Sequence, residues 1–233
     1  MSRGPVGGRP YFFVHVMKTA GMTFNHHIKN NFPRDTIYPG ADDLTGVDYW
    51  VVDRLRAAVA ERADEIRLWH GHFPYFVTDL LPNAITLSVL REPVARIVSL
   101  LDQHRRQNAP ELDLEEIYDD PLVFRRTVLD HQTKIFSMTE DDEINAWTQH
   151  IDVDDRRFEM AKARLGEVDL LGFQEDFDSF LATLRDRWGW TIQPVERVNT
   201  ADERPVVSDA FRRRIIEDNA YDMAFYEFAR SNF

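Results

Sequence analysis

The sequence contains no cysteine, so neither disulfide bridges nor thiol chemistry contributes to its fold or function. It has no long uninterrupted apolar run and no charged-then-apolar leader, which gives no sign of a membrane span or of secretion. A basic surplus is absent as well: 40 acidic residues against 28 Lys and Arg leave a formal net charge of −12. Nucleic-acid binders show the opposite balance, so no nucleic-acid partner is expected. A long sulfated polyanion is disfavoured too, unless a local basic groove steers it. Arg105-Arg106, Arg125-Arg126 with Lys134, and Arg212 to Arg214 are the clusters able to form one, although each taken alone reads as a solvated helix face. Neither repeat, low-complexity tract nor linker divides the chain. With 233 residues and 43% hydrophobic content it can bury one substantial core, so residues 1–233 are expected to form a single unit.

What is present concentrates in three segments. The apolar run Tyr11 to Val16 reads as a buried strand and Thr23 to Asn31 as a helix, with the turn Lys18-Thr19-Ala20-Gly21-Met22-Thr23 joining them. Backbone N–H groups in a first helical turn have no partners within the helix. Together with the Lys18 charge and the Thr19 and Thr23 hydroxyls they make an anion cradle, for which phosphate is the expected guest. The nucleotide P-loop pattern places its Lys after the glycines, whereas Lys18 precedes Gly21, so magnesium-ATP is not the first expectation.

Downstream, Ala84 to Leu90 is a second strand-like run, followed by Arg91 to Leu101. Pro93 suits the first helical position, and Val94, Ile97, Val98 and Leu101 form one apolar stripe. Arg91 then sits in the strand-to-helix turn, and Ser99, two turns in, can face the same crevice. A guanidinium and a hydroxyl there suit a second phosphate. Between these segments lies His70-Gly71-His72-Phe73-Pro74-Tyr75. If the strand begun at Ile66 continues through it, period two puts His70 and His72 on one face. Such a pair can chelate a metal, but no third ligand stands at a telling spacing, and no metal is expected.

Each segment has a plainer reading by itself. A Lys-Thr-x-Gly turn is common, Arg91 alone suits a surface ion pair, Ser99 suits a helix residue bonded to its own backbone, and His72 suits an inert strand end. His15, His26 and His27 are assigned to structure. In combination and in this order, however, the three segments resemble the sulfotransferases that use 3′-phosphoadenosine 5′-phosphosulfate, PAPS. Lys18 to Thr23 is similar to their 5′-phosphosulfate loop, and Arg91 with Ser99 to their 3′-phosphate site. The His70-Gly71-His72 segment and the terminal Ala224 to Phe233 most resemble the uronyl and heparan sulfate 2-O-sulfotransferases. Met22 departs from their usual Thr and Met17 from their usual Pro.

The resemblance implies a P-loop-like three-layer sandwich, PAPS as sulfuryl donor with the 3′,5′-bisphosphate PAP as product, and a hydroxyl-bearing acceptor, saccharide in the relatives. It implies His72 as general base, assisted by His70, with Lys18 on the leaving phosphate. Lys18, Thr19, Ala20, Gly21, Met22, Thr23, Arg91 and Ser99 would bind the cofactor. The animal relatives sit in the Golgi behind a membrane anchor, whereas a cytoplasmic, bacterial protein is expected here. Two alternatives stay open: a P-loop-type nucleotide or small-molecule kinase, and a non-catalytic PAP-binding protein.

For the remainder, Tyr49 to Ala63 has helical spacing, Asn108 to Asp120 reads as an acidic turn-rich connection, and Pro121 to Phe136 as one helix. Thr139 to Asp155 gives no clear path. Asp154 to Leu165 reads as a helix, Val168 to Gly172 as a strand, and Phe177 to Trp188 as an amphipathic helix stopped by Gly189. Asn199 to Pro205 reads as a polar loop, and Ser208 as the cap of a final helical pair. Alternating strands and helices predict a mainly parallel sheet covered on both faces, with its ligand at the carboxyl ends of the strands.

Overall fold

The computed structural model describes residues 8–40, 43, 51–144, 148–193 and 205–233. Five strands, β1 (Tyr11–Val14), β2 (Ile37–Tyr38), β3 (Leu68–Gly71), β4 (Ile85–Leu90) and β5 (Leu170–Phe173), form one parallel sheet in the order β2-β3-β1-β4-β5. Apolar residues on both faces of β1 explain its central place: Tyr11 and Phe13 point one way, Phe12 and Val14 the other, and all four are buried.

The α-helices among the described residues are α1 (Gly21–Asn31), α2 (Val52–Arg62), α3 (Pro93–Asn108), α4 (Leu114–Asp119), α5 (Pro121–Val123), α6 (His131–Ser137), α7 (Asp155–Leu165), α8 (Phe177–Trp188), α9 (Asp209–Asp218) and α10 (Ala220–Asn232). Phe24 and Ile28 of α1 and Phe180, Leu181 and Leu184 of α8 cover the Phe13 face. The Phe12 face packs against α2, α6, α7 and α10 through Leu55, Phe136, Leu165 and Phe225. The expected α/β architecture, a mainly parallel sheet between two helical layers, is therefore the one observed. A third apolar cluster, with Ile97 and Leu101 of α3, Ile117 of α4, and Phe211 and Ile215 of α9, extends from α3.

Local signals operate as anticipated at several ends. Pro93 opens α3, Asp154 caps α7, Ser208 caps α9, and Gly189 closes α8 at φ 71°, a left-handed conformation that a side chain would strain. Helix α2 starts at Val52; Tyr49 and Trp50 lie outside the described residues, as do residues 199–204 of the anticipated polar loop.

Two expectations need correction. The acidic stretch after Asn108 contains helix α4, held by a reciprocal cap between Asp113 and Glu116 and by burial of Leu114, Ile117 and Tyr118. The single helix over 121–136 is instead α5, a π-helical stretch Phe124–Val128, a left-handed break at Asp130 (φ 41°) and then α6. The break has a cause in distant residues. Asp130 accepts a hydrogen bond from the Asp222 backbone at 2.9 Å, and the Asp222 carboxylate accepts from the backbones of Gln132 (3.1 Å) and Thr133 (2.8 Å). Each carboxylate thus caps the other's helix, and a cap of this kind contributes about 0.5–2 kcal/mol.

Arg96, buried beside this pair, donates to the carbonyls of Thr127 and Val128 and lies 4.0 Å from Asp222. Lys134, expected on a solvated basic face or in a groove, is fully buried and donates to the carbonyls of Arg125 and Arg126. Burial pushes its ammonium down to about 7, with the Arg96 charge adding. Burial also raises both carboxyls, Asp222 adding at Asp130 and Arg96 opposing at Asp222.

Candidate active site

β1 and β4 are neighbours, yet the chain leaves β1 toward β2 on one side and β4 toward β5 on the other. Ligands of open α/β sheets bind at such a reversal, outside the carboxyl ends of the strands. Both anion segments open here. In the first, Lys18 (φ 68°) and Ala20 (φ 75°) hold left-handed conformations uncommon outside glycine, and Ala20 stands at the N-cap of α1 without a side-chain cap. No acidic residue occupies the first turn of α1. The N–H groups of Gly21, Met22 and Thr23 thus begin a helix whose usual capping side chain is missing, an arrangement suited to an anion.

The Thr19 hydroxyl donates to the Val16 carbonyl at 2.8 Å inside the loop, so Thr19 serves first to shape the turn. Thr23 lies half-buried on the first turn of α1. The Lys18 ammonium donates to Gln103 Oε1 at 2.8 Å; burial and the charges of Arg91 and Arg106 lower its pKa, with Asp102 opposing.

Arg91, 9% exposed, sits directly after β4. Its Nη1 donates to the Lys18 carbonyl at 3.1 Å, joining the two segments. Ser99 is half-buried on α3 one turn before Gln103, and positions four apart share a helix face, so it stands on the side that meets Lys18. The N-terminus of α3 is already closed: Glu92 accepts from the Ala95 backbone at 2.7 Å.

The histidines gather beside the first segment. His72 Nδ1 lies 2.8 Å from the His15 carbonyl, which can only accept, so the proton belongs on Nδ1 and the basic lone pair on Nε2. The His15 and His72 rings are 4.2 Å apart between centroids. A Cβ built on Gly21 would meet the His15 ring at 1.7 Å, so glycine is what lets this ring lie against the first turn of α1. Burial pushes both His70 and His72 down to about 4, the His72 charge adding at His70 and the hydrogen bond to His15 partly opposing at His72. His15 is lowered well below the ordinary value by burial, then by His72, His70 and Lys18. All three imidazoles are neutral at pH 7, the form able to accept a proton. Among the described residues no group of three or more His, Cys, Asp or Glu side chains is arranged to hold a metal ion.

A crystal structure of a sulfotransferase from Alicyclobacillus acidocaldarius matches this chain with a TM-score of 0.51 at 17% sequence identity, covering 94% of each chain. The fold is that of a sulfotransferase. No family model matches the sequence, and no curated protein matches it. At this identity the likeness carries the fold, while the chemistry rests on the side chains. Among the described residues no helix is long and apolar enough to cross a membrane.

Sequence reasoning singled out Lys18, Arg91, His70 and His72; the fold joins Arg91 to Lys18 and sets His72 against His15, with His70 on β3 opposite Phe13. Three residues that touch these were not singled out for the site. His15 follows Tyr11 and Phe13 at period two, a signal that places it on the α1 face, where its ring stacks on Phe13 at 5.3 Å. Gln103 stands four residues beyond Ser99, another usable signal. Gln132, which is bonded to the Arg91 backbone, has none. Beside Lys18 and Gln103 opens a groove of about 360 Å³ whose lining includes Met17, Gln103, His104, Gln107, Asn108 and Arg126.

Proposed function

We propose that this protein is a PAPS-dependent O-sulfotransferase acting on a carbohydrate hydroxyl. The observation that carries the reading is the pair of differently built anion positions flanking one strand reversal, bridged by the Arg91 to Lys18 contact, with neutral His72 alongside. The residues fit the donor: uncapped N–H groups and Lys18 suit a 5′-phosphosulfate, and Arg91 with Ser99 suits a 3′-phosphate.

When bound, PAPS supplies an activated sulfuryl group. His72 Nε2 accepts the proton of the attacking hydroxyl, assisted by His70, while the Nδ1 bond to the His15 carbonyl fixes the tautomer and ring direction. Lys18 and the first-turn N–H groups of α1 meet the negative charge that grows on the departing phosphate. Arg91 and Ser99 hold the far end of the donor, turning binding into orientation. The groove beside Lys18 mixes amide, imidazole and guanidinium groups with apolar Met17, Leu100, Leu122 and Val123, a lining compatible with a saccharide, which carries both hydroxyls and apolar ring faces.

The test is a titration calorimetry panel with PAP, AMP, ATP and magnesium-ATP, followed by a PAPS turnover assay on a saccharide acceptor panel. PAP is expected to bind far more tightly than AMP. Equal affinity for PAP and AMP would remove the 3′-phosphate assignment; preference for magnesium-ATP would favour a kinase, and PAP binding without transfer to any acceptor a sensor.

A further inference from the structure

The Arg91 backbone is held from outside its own segment. Gln132 accepts from the Arg91 N–H at 3.0 Å through Oε1 and donates to the Arg91 carbonyl at 2.9 Å through Nε2, a two-bond clasp across 41 positions. Gln132 is fully buried, so both ends of its amide serve this one residue. Its own position is fixed in turn: its N–H donates to Asp222 at the start of α10, and neighbouring Thr133 gives that carboxylate a backbone and a hydroxyl bond. If packing were its whole role, an apolar side chain of the same length would serve at lower cost, since a buried amide must find partners for every polar atom.

We propose that Gln132 is a positioning residue for the second anion site: its clasp sets where the Arg91 guanidinium stands and thereby the preference for a ligand carrying a 3′-phosphate. The proposal rests on the donor assignment above. Gln132 acts through Arg91, because its amide is consumed by the Arg91 peptide groups and its side chain is closed off from solvent. Arg91 also reaches the Lys18 carbonyl, so the clasp steadies the bridge between the two anion positions.

The experiment compares wild type with Gln132→Met, similar in length but unable to form the clasp, and Gln132→Glu, which keeps the acceptor for the Arg91 N–H and loses the donor. Folding is monitored by thermal melting, amide hydrogen exchange at Arg91 is followed without ligand, and affinities for PAP and AMP are measured by calorimetry. In Gln132→Met the Arg91 amide should exchange faster, and the PAP-over-AMP preference should fall about tenfold with AMP affinity retained. Gln132→Glu should fall between Met and wild type, and it carries the test if the Met variant does not fold. A folded variant that keeps the full preference, or that loses PAP and AMP affinity in equal proportion, overturns the positioning role alone. Wild type that binds PAP no better than AMP overturns the donor assignment and this proposal with it.

Discussion

The two candidate anion positions occupy equivalent places, each at a turn from strand to helix, yet they are built in opposite ways. At α1 the helix end is left open: Ala20 offers no cap, no acidic residue stands in the first turn, and the backbone itself is the binding group. At α3 the end is shut by Glu92, whose own N–H donates to Glu175 at 2.9 Å. There the proposed anion groups are side chains, Arg91 and Ser99, and the turn that carries Arg91 is clasped by Gln132. An open helix end presents dipoles that need no rearrangement, which suits charge that grows during reaction. A guanidinium presents a fixed full charge, which suits a permanent phosphate dianion. Under the proposed function the difference would divide the labour: turnover to the first position, ligand choice to the second.

That division can be broken by experiment. The largest effect is expected for His72→Ala, which should lower turnover about 10²–10⁴-fold while PAP affinity holds. Because burial sets its pKa at about 4, the wild-type kcat/KM should rise with pH through that region as Nε2 loses its proton, then stay level through neutrality. Absence of any such limb, or a limb that persists in the variant, would remove His72 as the base. Lys18→Ala should lower kcat about 10²–10³-fold and weaken PAP as well, since the proposal puts Lys18 on the donor before and during transfer. Single-turnover rates at saturating PAPS separate the two contributions.

Arg91→Ala should weaken PAP about ten- to a hundred-fold and leave AMP unchanged in calorimetry, a charge-assisted bond being worth about 1.5–3 kcal/mol. If Arg91→Ala instead lowered kcat at saturating donor, the assignment of turnover to one position and choice to the other would fail. The smallest effect is expected from metal removal: Lys18 and backbone dipoles supply the charge that meets the leaving group, so activity should survive exhaustive chelation. Loss with EDTA, restored by zinc or magnesium, would reassign the chemistry.

What could be read from the sequence was local. The apolar runs of β1 and β4, Pro93 at the start of α3 and Gly189 at the end of α8 act within a few residues, and so they announce themselves. The positions of Lys18, Arg91 and the two histidines of the 70–72 segment could be read for the same reason, each lying within a few residues of a strand end. The break at Asp130 could not, because its partners stand some ninety positions away in Asp222 and Asn219, and neither could the π-helical stretch Phe124–Val128, whose carbonyls accept from buried Arg96 and Lys134. Helical propensity over 121–136 favoured continuity, and burial of Arg96 and Lys134 overrode it. His15 escaped because a ring one residue past a strand reads as structure until a glycine across the loop is seen to make room for it.

The reciprocal capping of α6 and α10 also imposes an order of assembly. A link between Asp130 and Asp222 closes a loop of about ninety residues, and that entropy must be spent before the reward is collected. Closing the central strand pairs costs nearly as much, but Gln132, and with it Arg91, is set only once Asp222 has arrived. Competence for the bisphosphate is therefore expected as a late event in refolding. Stopped-flow recovery of fluorescence from Trp69 and Trp190, both buried against the sheet, should run ahead of recovered PAP binding, and coincidence of the two would deny the order.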